Sequence, residues 1–325
     1  MITWIKALRI FLLALFLWLL FSPVRIPMEL KSPPMAFILD FDGTITQKDT
    51  ISAVANFAIG CQKAGGKDFV DAWKDLSKTY IKDYSRFLDG YKPGEQDRKT
   101  LTEEVAYYRD LKSIELDSFK RVSKSGIFGG ISSDQWRKGG RDAVQKGDVN
   151  IRKGFEHFIR RVGNSKATWG VVSVNFSSQF IRGVLEANLG VGAGGEVEVL
   201  ANFPNEDGML LGPEGSSVMA TSDAKLAAMN ELLQKWRSSE RSFSRVVYIG
   251  DSGTDIECLT AEDLTGIVVS SDGKGTLMDT LKRIGSEPIS ISSQEAVESS
   301  SVYWARDFEE IVRSPILGLG IGNEI

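Results

Sequence analysis

Histidine is almost missing from this 325-residue chain: His157 is the only one, so mechanisms built on Ser–His or Cys–His pairs have almost no material. It sits in "GFEHFIRR", on the polar side of an amphipathic helical pattern, and reads as a solvated surface residue. Cysteine is nearly as scarce. Cys61 and Cys258 are far apart, offer no metal-ligand spacing or disulfide framework, and fit a reducing compartment, with a lone bridge as the alternative. There is no excess of positive charge: 39 basic and 43 acidic residues leave a net charge of -4, with no basic field for nucleic acid and no acidic tail. No internal repeat is visible. Hydrophobic content of 42% beside 25% charged residues is that of an ordinary globular chain, which excludes disorder as the starting reading.

Long hydrophobic runs are confined to one place. "WIKALRIFLLALFLWLLFSPV" carries an unbroken apolar stretch from Ile10 to Phe21 behind Lys6 and Arg9. It reads as a signal-like segment or retained anchor, with membrane contact through residues 4–22, about the 20 residues that a bilayer crossing needs. A start at Met35 would instead leave a cytoplasmic protein. Residues 1–34 are accordingly set apart from the fold.

After "RIPMELKSPP", residues 36–40 form a short apolar run ending in an acid, the signature of a buried parallel strand. Helical patterns follow at 48–59, 69–90, 99–125 and 133–145, with no strand between them, and read as an inserted helical cap over residues 47–150. Strands are expected at "TWGVVSV", "RVVYIGD" and "TGIVVS", a helix in "AKLAAMNELLQKW", and a small β excursion between 196 and 215 where "GEVEVLANF" alternates. The Ser-rich "ISISSQEAVESSS" reads as loop. Alternating strands and helices predict an α/β fold: a Rossmann-like parallel sheet built from residues 35–46 and 151–325, carrying the helical (C1-type) cap.

The polar residues at the strand tips carry the chemistry. In an open parallel sheet ligands bind beyond the carboxyl ends of the strands, where Asp40 and Asp42, Ser173 and Asp251 are expected to lie. "YIGDSGTDIE" turns Asp251 and Asp255 back toward the first pair. Four carboxylates in one cleft repel each other unless a cation sits among them, and oxygen donors call for a hard divalent ion, Mg²⁺ first.

Four motifs in order, "DFDGT" (40–44), Ser173 closing "WGVVS", Lys225 in "TSDAKLAAM" and "GDSGTD" (250–255), make the chain resemble the haloacid dehalogenase (HAD) superfamily, in its phosphoserine-phosphatase-like branch. The resemblance implies that Asp40 attacks phosphorus to form an aspartyl-phosphate, and that Asp42 protonates the leaving oxygen and later activates water. It implies that Ser173 and the Val174 amide hold the phosphoryl group, that Lys225 offsets its charge, and that Mg²⁺ is held by Asp40, the Asp42 carbonyl and Asp251, with Asp255 ordering the metal or its waters. Gly43 allows a sharp turn, and the amides there can cradle phosphate with the Thr44 hydroxyl. Asp49 falls where phosphoserine phosphatases have a substrate-contacting glutamate, one methylene longer; it could equally cap the next helix. The second aspartate also separates phosphatases from dehalogenases and from P-type pumps.

Two further patterns have structural readings. Phe69, Trp73, Tyr80, Tyr84 and Phe87 recur at helical steps, as a buried face does. Arg121, Lys124, Arg137, Lys138, Arg141 and Lys146 either form a solvated helix face or line the mouth of the site. The expected activity is Mg²⁺-dependent hydrolysis of a small phosphorylated metabolite. A phosphotransferase and a non-catalytic membrane-tethered binding protein of the same fold are the alternatives.

Overall fold

The computed structural model describes residues 34–192, 197–239, 242–293, 302–314 and 317. The apolar run at 4–22 lies outside them; among the described residues no helix is long and apolar enough to cross a membrane.

The chain begins with strand β1 (Met35–Leu39). Helices α1 (Ile51–Ala64), α2 (Val70–Gly90), α3 (Leu101–Asp110), α4 (Lys112–Lys124) and α5 (Ser133–Lys146) follow without an intervening strand. Next come α6 (Phe155–Asn164), β2 (Thr168–Ser173), α7 (Ser178–Leu189) and β3 (Glu198–Ala201). The two-stranded excursion β4 (Phe203–Pro204) and β5 (Leu210–Leu211) precedes α8 (Ser222–Ser238), β6 (Arg245–Gly250), α9 (Ile256–Leu259) and β7 (Thr265–Val269). The chain closes with α10 (Thr276–Arg283), β8 (Ile289–Ser290), β9 (Val302–Ala305) and α11 (Phe308–Arg313).

Seven strands form one parallel sheet in the order β3-β2-β1-β6-β7-β9-β8. β1 is buried on both faces, which is why its sequence is an uninterrupted apolar run. Phe37 and Leu39 point into the layer with Phe158 of α6 and Phe180 of α7, while Ala36 and Ile38 point into the layer with Met229, Leu232 and Trp236 of α8. Phe37 meets Phe158 edge to face at 5.2 Å. Chain order reverses at β1, with β2 on one side and β6 on the other, the kind of switch point where a crevice opens beyond the strand ends.

The helices between β1 and α6 are fastened to the sheet layers at several places. α5 crosses α7 through glycines: a Cβ on Gly140 would lie 2.2 Å from the Phe180 carbonyl oxygen, and one on Gly183 would lie 2.0 Å from that of Arg137, so the backbones touch there. On another side, Arg98 and Arg283 of α10 both hold the buried Glu104 of α3, at 2.8 Å each.

Several sequence expectations change. The pattern at 99–125 is two helices: α3 ties to α9 through Arg109 and Glu257, whereas α4 packs on α2 and receives the β5 amide of Leu210 on Ser123 Oγ at 3.0 Å. "GEVEVLANF" is not a half-exposed strand, since Val199, Leu200 and Ala201 are buried and pair with β2. The expected excursion is the β4–β5 hairpin. β8 starts inside the Ser-rich stretch and β9 follows it, two short strands without alternation to reveal them. The α2 aromatics are half-buried rather than core, because Tyr80 and Tyr84 keep their hydroxyls on Glu115 and Tyr107.

His157 is not simply solvated: Nδ1 lies 3.2 Å from Glu309 of α11. Cys61 and Cys258 are both free, so the bridge is ruled out. Among the basic residues, Arg121 pairs with Asp83, Arg137 and Arg141 with Glu186, and Lys138 with Asp142. That commits three of the six, Arg121, Arg137 and Arg141, to holding helices together, a use that neither alternative foresaw, while Lys138 pairs within α5 on its solvated side.

Candidate active site

The backbone leaves β1 at Asp40, whose amide is still in sheet register, donating to the Ile249 carbonyl at 2.8 Å. Residues Phe41–Ile45 then make a tight turn closed by Thr46 N–H onto the Phe41 carbonyl at 3.0 Å. Gly43 adopts φ +73°, and a Cβ there would fall 2.2 Å from an Asp251 oxygen. Glycine is thus required twice, by the dihedral and by the approach of the neighbouring carboxylate. Arg152 braces the turn from behind, its guanidinium donating to the carbonyls of Gly43, Thr44 (2.9 Å) and Thr46 (3.5 Å).

The turn sends its two aspartates into different surroundings. Asp40 is 3% exposed, and Lys225 Nζ, fully buried on α8, donates to its Oδ1 at 2.6 Å. The same ammonium donates to Asp255 Oδ1 at 2.6 Å. Asp255 also accepts from the Tyr248 hydroxyl (2.7 Å) and from the amides of Asp251 (3.1 Å) and Ser252 (3.0 Å). Burial works against the Asp255 carboxylate, yet Lys225 and these donors outweigh it and hold Asp255 below the usual range. For Asp40 the balance is reversed, with burial outweighing Lys225 and pushing it up. Lys225 is held firmly protonated by Asp255 and Asp40 against the cost of burial.

Asp251, at the tip of β6, completes an acidic set: one carboxylate oxygen each from Asp40, Asp251 and Asp255 lies within 4.8 Å of the others. Its Oδ1 accepts the Thr44 hydroxyl at 2.9 Å, so that hydroxyl's proton is spent on Asp251 and is not offered to a phosphate. Burial and the neighbouring charge of Asp255 push Asp251 up to about 7. One ammonium bonds two of the three carboxylates, leaving an all-oxygen donor set with surplus negative charge, and this fits a hard divalent cation such as Mg²⁺.

Asp42 turns the other way and is half-buried. Its Oδ1 accepts both the amide (2.8 Å) and the hydroxyl (2.6 Å) of Thr50, and its Oδ2 accepts Asn175 Nδ2 at 2.7 Å. Desolvation, then the charge of Asp49, push it up to about 6 against these donors. Asp42 contributes no side-chain oxygen to the acidic set. Asp49 is exposed and accepts the Ile51 amide at 2.8 Å, the helix-start role that its position also allowed.

Ser173 closes β2, fully buried, with its Oγ accepting the Asn175 amide at 3.2 Å. Val174 is half-buried and its carbonyl accepts from Asn202 at 3.0 Å. The tips of β1, β2 and β6 and the start of α8 therefore supply all the candidate residues except Asp49. Two surface hollows of about 330 and 300 Å³ flank α6 and α11, and none of the four aspartates lines either.

Four contributors escaped the sequence reading. Asn175 had a signal, a polar residue two places past the strand-ending serine. Thr50 stood where a helix start accounts for it, and Tyr248 sits inside a strand that reads as core. Arg152 is an arginine after a long insertion, with nothing local to mark it.

No family model matches the chain. It is 28% identical over 247 residues to a CTO1 family protein of Schizosaccharomyces pombe, covering 73% of this chain and 82% of that one. It is 26% identical to cold tolerance protein 1 of Saccharomyces cerevisiae over 80% and 87% of the two chains. A 29% match to the mitochondrial bifunctional TH2 protein of Arabidopsis thaliana covers 82% of this chain but 45% of the other. Among solved structures, cytosolic 5'-nucleotidase IIIB bound to cytidine superposes with a TM-score of 0.51 at 15% identity, over 88% of this chain and 85% of that one. A substrate-bound phosphoserine phosphatase gives 0.45 at 16% identity, over 87% and 98%. With its parallel sheet, the switch point at β1 and an acidic set beyond the strand tips, the chain has the haloacid dehalogenase-like fold.

Proposed function

We propose that this protein is a divalent-metal-dependent phosphatase that hydrolyses a small-molecule phosphomonoester through an aspartyl-phosphate. The observation that carries this reading is the division of labour between two acids one residue apart: Asp40 faces Lys225 and the acidic set, while Asp42 faces Thr50 and Asn175. A nucleophile needs charge compensation, and a proton carrier needs a separate environment near neutrality.

In the first step an Asp40 carboxylate oxygen bonds to phosphorus. The ester P–O bond breaks with its electron pair on the leaving oxygen, which takes the proton held by Asp42. In the second, Asp42, now a carboxylate, accepts a proton from water while the water oxygen bonds to phosphorus. The Asp40–phosphorus bond breaks, phosphate departs and both residues return to their starting state. Lys225 offsets charge on the attacking carboxylate and the phosphoryl oxygens. Mg²⁺ held by Asp40, the Asp42 carbonyl and Asp251, with Asp255 ordering the metal or its waters, would keep Asp40 ionised against its burial and draw charge from the phosphoryl group. The Val174 amide and the Ser173 hydroxyl are the candidate phosphate cradle, since the Gly43 amide already donates to Thr46 Oγ1 at 3.1 Å. Residues 47–150 serve as the cap that excludes water and selects the organic half of the substrate.

The test is phosphate release from an aryl phosphate by the full-length chain, with Mg²⁺ and with chelator. Turnover that depends on the metal and is lost in Asp40→Asn is the expected result. Full activity in Asp40→Asn would remove the nucleophile from the scheme.

A further inference from the structure

Asn175 has no role in the scheme so far, yet it is fully buried and touches the proton carrier. Its amide can point only one way. Oδ1 accepts the Ser177 amide at 3.1 Å, which leaves the two Nδ2 hydrogens for Asp42 Oδ2 at 2.7 Å and Thr50 Oγ1 at 3.0 Å. Its backbone is fixed as well, the amide on Ser173 Oγ at 3.2 Å and the carbonyl under Asn202 Nδ2 at 3.2 Å. Thr50 closes the ring by donating amide and hydroxyl to Asp42 Oδ1.

The two oxygens of Asp42 are therefore unequal. Each carboxylate oxygen has two lone-pair sites. Thr50 fills both on Oδ1, while Asn175 fills one on Oδ2. A proton carried by Asp42 belongs on Oδ2, and Asn175 decides where Oδ2 points.

We propose that Oδ2 of Asp42 is the proton-transferring oxygen and that Asn175 is the positioning residue that aims it. This rests on the phosphatase reading. As the ester bond breaks and its electron pair moves to the leaving oxygen, the proton passes from Oδ2 to that oxygen, and the Asn175 N–H remains to stabilise the new carboxylate. In the return step a proton from water arrives at the same oxygen. The ring also connects three separate pieces of chain, the turn after β1, the residue before α1 and the tip of β2, so the aim of Oδ2 depends on how the first helix of the insertion sits.

Leaving-group dependence tests this directly. The quantity is kcat/KM, which covers the steps through formation of the phosphoenzyme, for nitrophenyl phosphate, whose leaving group needs no proton, and for an alkyl phosphate, whose leaving group does. In Asn175→Ala the ratio of nitrophenyl to alkyl kcat/KM should rise about 30-fold or more, within the usual contribution of general acid catalysis. Asn175→Asp keeps the size and an acceptor for Ser177 but offers Asp42 no N–H, so its ratio should rise at least as far; it decides the matter if the alanine variant does not fold. A fall that is equal for both esters, or a ratio within about threefold of the unsubstituted protein's, would mean that Asn175 merely supports the loop and would overturn the assignment. Failure of the phosphatase reading itself looks different, as turnover of both esters that survives Asp40→Asn.

Discussion

Asp40 and Asp42 leave the same strand tip, yet they are held by different means. The Asp40 side is ionic and closed: a fully buried lysine shared by two carboxylates, with a third carboxylate alongside. The Asp42 side is built from neutral donors, Thr50 and Asn175, and stays half-buried. Ionic partners fix charge in place, and removing one strands another; neutral donors shape a group that has to change charge during each turnover. The lesson is that spacing alone assigns no roles, whereas surroundings do.

Removing the shared ammonium should break the comparison most severely. Lys225→Met would leave Asp40 and Asp255 buried without a counter-charge, a loss of about 3–5 kcal/mol. Activity should fall by at least about 100-fold, since an electrostatic contact to the reacting groups goes with it. Thermal melting and phosphate release measure the two effects. An unchanged melting point would show that the ion pairs contribute nothing net.

A smaller effect separates the two sides through pH. Asp251 is pushed up to about 7 from 3.8, so between those values the metal-free folded state binds more protons than the unfolded one. Its contribution to stability is therefore complete below about 4 and is lost as pH rises through about 7. Mg²⁺ favours ionised Asp251, so the stabilisation it provides should grow over the same interval. The melting-point gain from Mg²⁺ is expected to be clearly larger at pH 8 than at pH 5.5. Asp251→Asn should reduce that difference, leaving only the part due to Asp40, and Asp42→Asn, which removes no side-chain metal ligand, should leave it unchanged. A gain independent of pH in the unsubstituted protein would contradict the assignment of the acidic set.

How much of this was visible in the sequence follows the same division. β1, β2 and β6 announce themselves because strands buried on both faces must be apolar throughout, and the acids that end them stand out by contrast. Asp40 and Asp251 are legible for that reason, Asp255 through the turn that follows Asp251, and Lys225 only through the resemblance of its motif. Asn175 and Thr50 are not, because a neutral donor that shapes an acid looks like any turn or cap residue until folding brings positions 42, 50 and 175 together. The break between α3 and α4 was likewise hidden, since Leu111 keeps helical dihedrals and the cause lies in what each helix packs against. β8 and β9 escaped because strands of two and four residues are too short to show a period.

The finest distinction concerns Asp49, which acts on the Asp42 side alone. Its carboxylate accepts the Ile51 amide and adds negative charge near Asp42, the second cause of that group's upward shift after burial. Asn can also accept the amide, so Asp49→Asn should cost no more than about 0.5 kcal/mol of stability. Electrostatically it does more, because a less negative neighbour makes Asp42 easier to ionise. Asp42 must be protonated to act on the leaving group, so the alkaline limb of kcat/KM for an alkyl phosphate should move to lower pH, by about 0.5 unit. For nitrophenyl phosphate, which needs no proton, the limb should stay where it was. If both limbs moved together, Asp49 would be acting on the nucleophile side as well, and the separation between the two aspartates would be less complete than their hydrogen bonds indicate.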